Sequence, residues 1–168
     1  MDPFVLHIND VPTTTGRVAI GAVAGLLATV IMNIPMQRRP EGSTPPFIAA
    51  GALTGQPLDE VDPKLASGVH YSAGILGGVL FTLLAIGFES VLPFTAALTG
   101  VGLRLVPHFL ATLVTYGFLV AFFAYLVFPQ FGKSANQRGE QVRTDWVISA
   151  SVYVVALALW IPLLIASL

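Results

Sequence analysis

The 19 residues from Val18 to Met36, VAIGAVAGLLATVIMNIPM, carry no charge and give way to Arg38 and Arg39. A helix needs about 20 mostly apolar residues to cross roughly 30 Å of hydrocarbon, because each residue advances it by about 1.5 Å. The stretch therefore reads as a membrane-spanning helix, and three more follow it. Asp62-Pro63 offers an N-cap and a proline for the first helical position, and the apolar run behind it lasts from Leu65 to Phe88, where Glu89 ends it. A third run starts at Pro107, reaches Phe128 and is stopped by Pro129 and Gly132. The capping pair Thr144-Asp145 precedes the fourth, which is free of charge from Trp146 to Leu168. One such run can be the buried helix of a soluble domain. Four in 168 residues leave no polar surface to cover them.

Composition agrees. Fifty-five per cent of the chain is hydrophobic and 10% is charged, against about 25% charged in an ordinary globular protein. With 8 basic and 9 acidic residues the chain lacks the dense basic patch that phosphate binding requires, which argues against nucleic acid. No cysteine is present, so disulfides, thiolate nucleophiles, iron–sulfur clusters and cysteine zinc sites are excluded. The first run is not read as a cleaved signal peptide: Asp2 and Asp10 sit in its N-flank with a single Arg, and it is longer than a signal core.

The predicted fold is an all-α membrane protein, a single membrane domain over residues 1–168. Its four transmembrane helices, at about 18–36, 63–88, 106–128 and 145–167, form an up-down bundle. Arg38, Arg39, Lys64, Lys133, Arg138 and Arg143 lie in the loops after the first and third helices, whereas the other two loops hold only Arg17 and Arg104. The positive-inside rule then places the chain in the cell membrane with both termini outside and the charged loops 37–62 and 129–144 in the cytoplasm. Ser43 to Thr54, with Pro45-Pro46 early, is too short to span and is predicted to lie as a short helix (about 44–54) at the cytoplasmic interface. Pro93 to Val106 either forms an outer interfacial or re-entrant turn or extends the third helix backwards. The joined helix would reach about 52 Å, more than the bilayer core, so a break near Pro107 is favoured.

Lipid tails are as apolar as leucine, so helices in a bilayer associate through small residues that let backbones approach. Gly21 and Gly25, with Ala28, offer such a face on the first helix; Gly74 and Gly78, with Ala73 and Gly77, offer one on the second. These faces are expected to cross within one chain, a homodimer contact being the alternative.

Polar side chains at depth mark where chemistry could sit. Depth sorts them into an inner cluster of Asn33, His70, Tyr125, Ser149 and Tyr153, and an outer one of Glu89, Arg104, His108 and Thr112, with Thr115 continuing its stripe. Glu89 and Arg104 flank one loop and are expected to pair. His70 and His108 invite a bis-histidyl haem. Their predicted depths differ by some 20 Å along the membrane normal, too far for one iron, unless the third helix starts near Phe94. Each histidine alone reads first as a hydrogen-bonding interior residue, and His70 secondarily as a proton relay or sensor. Asp59, Glu60 and Asp62 read as a solvated loop ending in an N-cap rather than a cation site. No metal site is predicted. No Walker loop, His-Glu-x-x-His, Gly-x-Ser-x-Gly or membrane-protease dyad is present.

Three pieces taken together carry a resemblance: Gly25-Leu-Leu-Ala-Thr-Val-Ile-Met32-Asn33, then Pro45-Pro46-Phe-Ile-Ala-Ala-Gly51, then Leu65-Ala-Ser-Gly-Val-His70 before Gly74, Gly77 and Gly78. In this order they resemble the small four-helix membrane proteins of the YagU-like kind, over roughly residues 16–86. The resemblance implies a four-helix integral membrane protein and supplies no catalytic residues. The expected role is a non-enzymatic structural or accessory subunit of a membrane assembly, with lipids and other membrane subunits or a second copy as partners and no cofactor. The alternatives are a small-solute or proton transporter acting as an oligomer, lined by Asn33 and His70, and a membrane redox subunit holding haem, quinone or pigment through His70 or His108.

Overall fold

The computed structural model describes residues 12–92, 97–98, 103–131 and 138–167. Among them run five α-helices: α1 (Thr14–Arg38), α2 (Thr44–Thr54), α3 (Pro63–Val91), α4 (Leu105–Phe122) and α5 (Gly139–Ala166). α4 continues through a π-helical turn, Phe123–Val127, into a 3-10 turn, Phe128–Phe131. Four of these helices, all but α2, are long and apolar enough to cross a membrane, so the chain is a multi-pass membrane protein.

Local chemistry sets several of the ends. Thr13 caps α1 by accepting from the Gly16 amide at 3.2 Å, and Asp62 caps α3 by accepting from the Lys64 amide at 2.7 Å, with Pro63 opening the helix. α2 opens on Pro45-Pro46 and closes at Gly55, whose φ of 71° is left-handed and whose amide bonds the Gly51 carbonyl at 2.8 Å.

α1 starts at Thr14, four residues before Val18, and α3 runs past Glu89 to Val91. Two further boundaries differ from the sequence reading. α5 begins at Gly139, six residues before Asp145, so Asp145 is an interior helical residue and not a cap. Its cause is tertiary: Asp145 is buried and ion-paired, which lets the helix carry a charge past the apolar run. Second, part of the 93–106 segment forms a short antiparallel pair, β1 (Ala97–Leu98) with β2 (Leu103–Arg104), and α4 starts directly after it at Leu105. The segment therefore does not extend α4 backwards as helix. Asp2, Asp10, Gly132 and Lys133 lie outside the described residues.

The helices pack as a ring: α1 lies against α3 and α5, and α4 lies against α3 and α5. Inside sit Ala24, Ala28 and Met32 of α1, Phe81 and Ala85 of α3, Ala111 of α4, and Tyr153, Leu157 and Ile161 of α5. Outside, large apolar side chains such as Val23, Leu76, Phe109, Val155 and Leu159 are exposed, as suits helices whose solvent is lipid.

The α1–α3 seam is the tightest part of the ring. A Cβ placed on Gly25 would strike the Gly74 carbonyl oxygen and come 3.1 Å from the Gly78 Cα; one on Gly78 would strike the Gly21 carbonyl and come 2.9 Å from the Gly25 Cα. One on Gly74 would land on the Thr29 hydroxyl. The two threonines beside these glycines stay within their own helices, Thr29 donating to the Gly25 carbonyl at 2.7 Å and Thr82 to that of Gly78 at 3.1 Å. Each hydroxyl is thus satisfied without holding the two helices apart.

Candidate functional site

α3 carries His70 two turns inside its Asp62 cap, on the side where α1, α2, α4 and α5 converge. The His70 Nε2 lies 2.9 Å from the Asn33 Oδ1, and the Asn33 amide nitrogen donates to the Tyr71 hydroxyl at 2.9 Å. An amide oxygen only accepts, so the imidazole proton sits on Nε2. This triad joins α1 to α3.

His70 borders three cavities. One, of about 40 Å³, is an internal gap reaching Thr29, Trp146 and Tyr153. Another, of about 270 Å³, opens beside Asn33, Gln37, Ser67 and Tyr71. The third is a lateral groove of about 410 Å³ floored by Ala49, Ala73 and Gly77 and walled by Phe118, Phe122 and Trp146. The groove's far rim is the π turn, of which Phe123 and Val127 both line it. Such turns interrupt the α-helical ladder and are frequent at functional positions. Phe123 stacks on Trp146 at 4.7 Å between ring centres, and the Trp146 indole donates to the Leu119 carbonyl at 3.3 Å, so its N–H is engaged.

Of the other inner-cluster residues, Tyr153 joins this region and Tyr125 does not. Tyr153 is buried and donates to the Gly74 carbonyl at 2.6 Å. It fits because Gly77 has no side chain: a Cβ there would come 2.6 Å from the phenol oxygen. Tyr125 is 79% exposed on the outer face of α4's π turn, a correction to its assignment to the cluster. Depth fixes how far along a helix a residue lies, but not which way it points. Ser149 is buried, and its hydroxyl has no hydrogen-bond partner among the described residues.

The outer residues do not form one site either. Glu89 pairs with Arg17 of α1, through two bonds of 2.6 and 2.8 Å, and not with Arg104 as the sequence suggested. Arg104 instead donates to the main-chain carbonyls of Glu89 and Leu92, each at 3.4 Å. α1 starts at Thr14, which brings Arg17 inside a helix and level with the end of α3. His108 turns to α5, with its Nε2 2.9 Å from the Ala158 carbonyl and its ring edge-on to Phe81 at 5.0 Å. Thr112 donates to the His108 carbonyl one turn back, at 2.9 Å. Thr115 and the His108 Nδ1 are buried without a partner among the described residues.

A polar network the sequence reading missed closes the end where α1 and α5 meet. Asp145, fully buried, accepts from the Arg39 Nε at 2.7 Å, the Gln141 amide at 2.7 Å and the Glu41 main-chain amide at 2.9 Å. Glu41 accepts in turn from Arg138, at 2.5 and 2.7 Å, and from the Thr44 hydroxyl at 2.7 Å. The Arg138 guanidinium holds the Glu41 carboxyl below its ordinary range, with help from Thr44 and against burial and the nearby Asp145 charge. Glu41 likewise raises the pKa of Arg138. The turn that delivers Glu41 lies so close to α1 that a Cβ on Gly42 would strike the Met36 carbonyl and come 2.7 Å from the Met36 Cα. Counting back in fours from Tyr153 and Ser149 reaches Asp145 and Gln141, and that stripe was the available signal.

The residues present do not fit a bis-histidyl haem. Both Nε2 atoms are engaged in protein hydrogen bonds, and His108 lines a separate small cavity with Arg17, Thr82 and Ile161, away from the three that His70 borders. No family model, no curated protein and no solved structure matches the chain.

Proposed function

We propose that the chain is a non-enzymatic structural or accessory subunit of a membrane assembly. One observation carries the reading: several polar groups at depth tie helix to helix. Tyr153 joins α5 to α3, Asn33 and His70 join α1 to α3, His108 joins α4 to α5, and Arg17 with Glu89 joins α1 to the end of α3. Groups held this way build a scaffold. In this reading the four spans cross up and down, α2 lies at the cytoplasmic interface, both termini are outside and the charged loops are inside.

The small-residue faces of α1 and α3 are occupied by each other. Partner subunits or a second copy would therefore meet the outer surface of α4 away from the groove, where Phe109 and Leu113 are exposed. Extraction in a mild detergent followed by sizing and identification of what co-purifies tests this. A complex or oligomer supports it; a lone, stable monomer contradicts it.

The buried, unpartnered Thr115 hydroxyl, Ser149 hydroxyl and His108 Nδ1 favour a second reading, a small-solute or proton transporter acting as an oligomer. In reconstituted vesicles that reading requires His70→Ala or Asn33→Ala to change pH-dependent flux. Unchanged flux in both removes it.

A further inference from the structure

We infer that the lateral groove is a binding site for a neutral apolar alcohol of the membrane, with its hydrocarbon body among Phe118, Phe122 and Trp146 and its hydroxyl donating to the His70 Nδ1. This goes beyond the accessory reading and does not depend on it.

Among the described residues, one polar side chain in the groove wall has capacity to spare. The Trp146 N–H is engaged with the Leu119 carbonyl, and the remaining lining residues of the groove are apolar, leaving His70. Its Nε2 proton is engaged with Asn33, and Asn33 is held in turn by Tyr71. That arrangement fixes the tautomer, so Nδ1 presents a lone pair, and no hydrogen bond to it occurs among the described residues. The complement of an oriented lone pair is a donor. A hydroxyl supplies one.

Charge narrows the class further. Among the described residues, none that lines the three cavities meeting at His70 is Asp, Glu, Lys or Arg. A phosphate, carboxylate or ammonium head group would enter a low-dielectric wall without a counter-ion, at a cost of several kcal/mol. The groove is open to the surroundings of the spans: Leu76, Phe118 and Phe122 at its rim are all exposed. Membrane components therefore have direct access to it. At about 410 Å³ it has the size of a small-molecule site, near the lower end of the roughly 300–1,000 Å³ range of ligand pockets. The groove's edge is the π turn, where the helix departs from its regular form at this place and keeps Phe123 and Val127 on the rim.

The test uses the full-length chain in detergent with Trp160→Phe, which leaves Trp146 as the sole tryptophan, since the sequence has 2. Dibromo-octadecanol, its methyl ether and the matching dibromo fatty acid are titrated in turn, and bromine quenches the indole on contact. The inference expects saturable quenching, with the alcohol half-saturating at about five- to tenfold lower concentration than the ether, the worth of one buried hydrogen bond. His70→Phe should bring alcohol and ether together, whereas His70→Gln, which retains an acceptor, should keep part of the difference. Ala73→Phe, which fills the floor, should abolish saturation by both. Alcohol and ether quenching alike in the parent would overturn the inference, and that comparison needs no variant at His70 to fold. So would unsaturable quenching, a fatty acid that outcompetes the alcohol, or a preference that survives His70→Phe.

Discussion

Ala73 and Gly74 are neighbours on α3 and meet different surroundings. Gly74 is buried against α1, where a single added carbon would land on Thr29; Ala73 is exposed and lies on the floor of an open groove. Both residues are small, and both lie in the same apolar stretch. The difference shows that hydrophobicity does not decide which faces of a membrane helix close, because lipid offers apolar surface just as well. What closes the α1 side is two glycine ridges set against each other, with two threonines whose hydroxyls are satisfied inside their own helices. On the α4 side the bulky Phe118, Phe122 and Trp146 hold the helices apart, and space remains.

Substitutions sharpen this contrast, beginning with the largest effect. Gly74→Leu should cost about 3 kcal/mol, since the added side chain lands on the buried Thr29 hydroxyl and comes 3.0 Å from the Thr29 Cβ, which is fixed to α1. Thermal unfolding in detergent should show a large drop or no folded protein; a stability near the parent's would mean the seam is loose. The charged end of the molecule is closed as firmly as the seam, by ions in place of glycines. Asp145→Ala there should cost about 2–3 kcal/mol, because Arg39, Gln141 and the Glu41 amide lose their common acceptor, the half-exposed Arg39 softening the loss.

Glu41 adds a pH signature at the same end. Its folded pKa lies below its ordinary value of 4.5, so its ion pair contributes stability above that pH and the contribution is lost as pH falls through the lower folded value. Glu41→Gln should therefore be less stable than the parent at neutral pH by about 1 kcal/mol, a modest figure because Arg138 is largely exposed. The gap should narrow as the solution is taken well below pH 4.5. A gap that is constant with pH would show that the carboxylate charge is not what matters. Tyr153→Phe removes one bond from α5 to the Gly74 carbonyl and should cost about 0.6–1 kcal/mol by the same unfolding measurement, within the range for hydrogen bonds between membrane helices. Ala73→Leu, one residue from the most damaging change, should leave stability within about 0.5 kcal/mol of the parent. If Ala73→Leu and Gly74→Leu fall together, the two faces are not distinct.

The sequence makes the four spans legible because each rests on a long uncharged run, a signal that needs no knowledge of packing. The Gly21/Gly25 and Gly74/Gly78 pairs are visible as small-residue faces, although such spacings are also common by chance in membrane helices. What stays hidden is direction around the helix axis. In a helix that is apolar on all sides, periodicity gives no azimuth, so Tyr125 shares a depth with His70 and points elsewhere. Helix ends are hidden where distant partners set them. Asp145 looks like a cap until Arg39, Gln141 and the Glu41 amide are seen around it, and Glu89 looks committed to Arg104 until α1 delivers Arg17. The groove is least legible of all, because it exists only where four elements fail to meet.

Every depth and every facing used above rests on the chain crossing the bilayer four times. The natural absence of cysteine allows single cysteines at the exposed Thr13, Thr54 and Ser167 positions to be probed in intact cells with a membrane-impermeant maleimide. The account predicts that Thr13→Cys and Ser167→Cys label from outside, while Thr54→Cys labels only after the membrane is opened. Labelling of the two end positions from opposite sides would contradict an even number of crossings and the arrangement built on it.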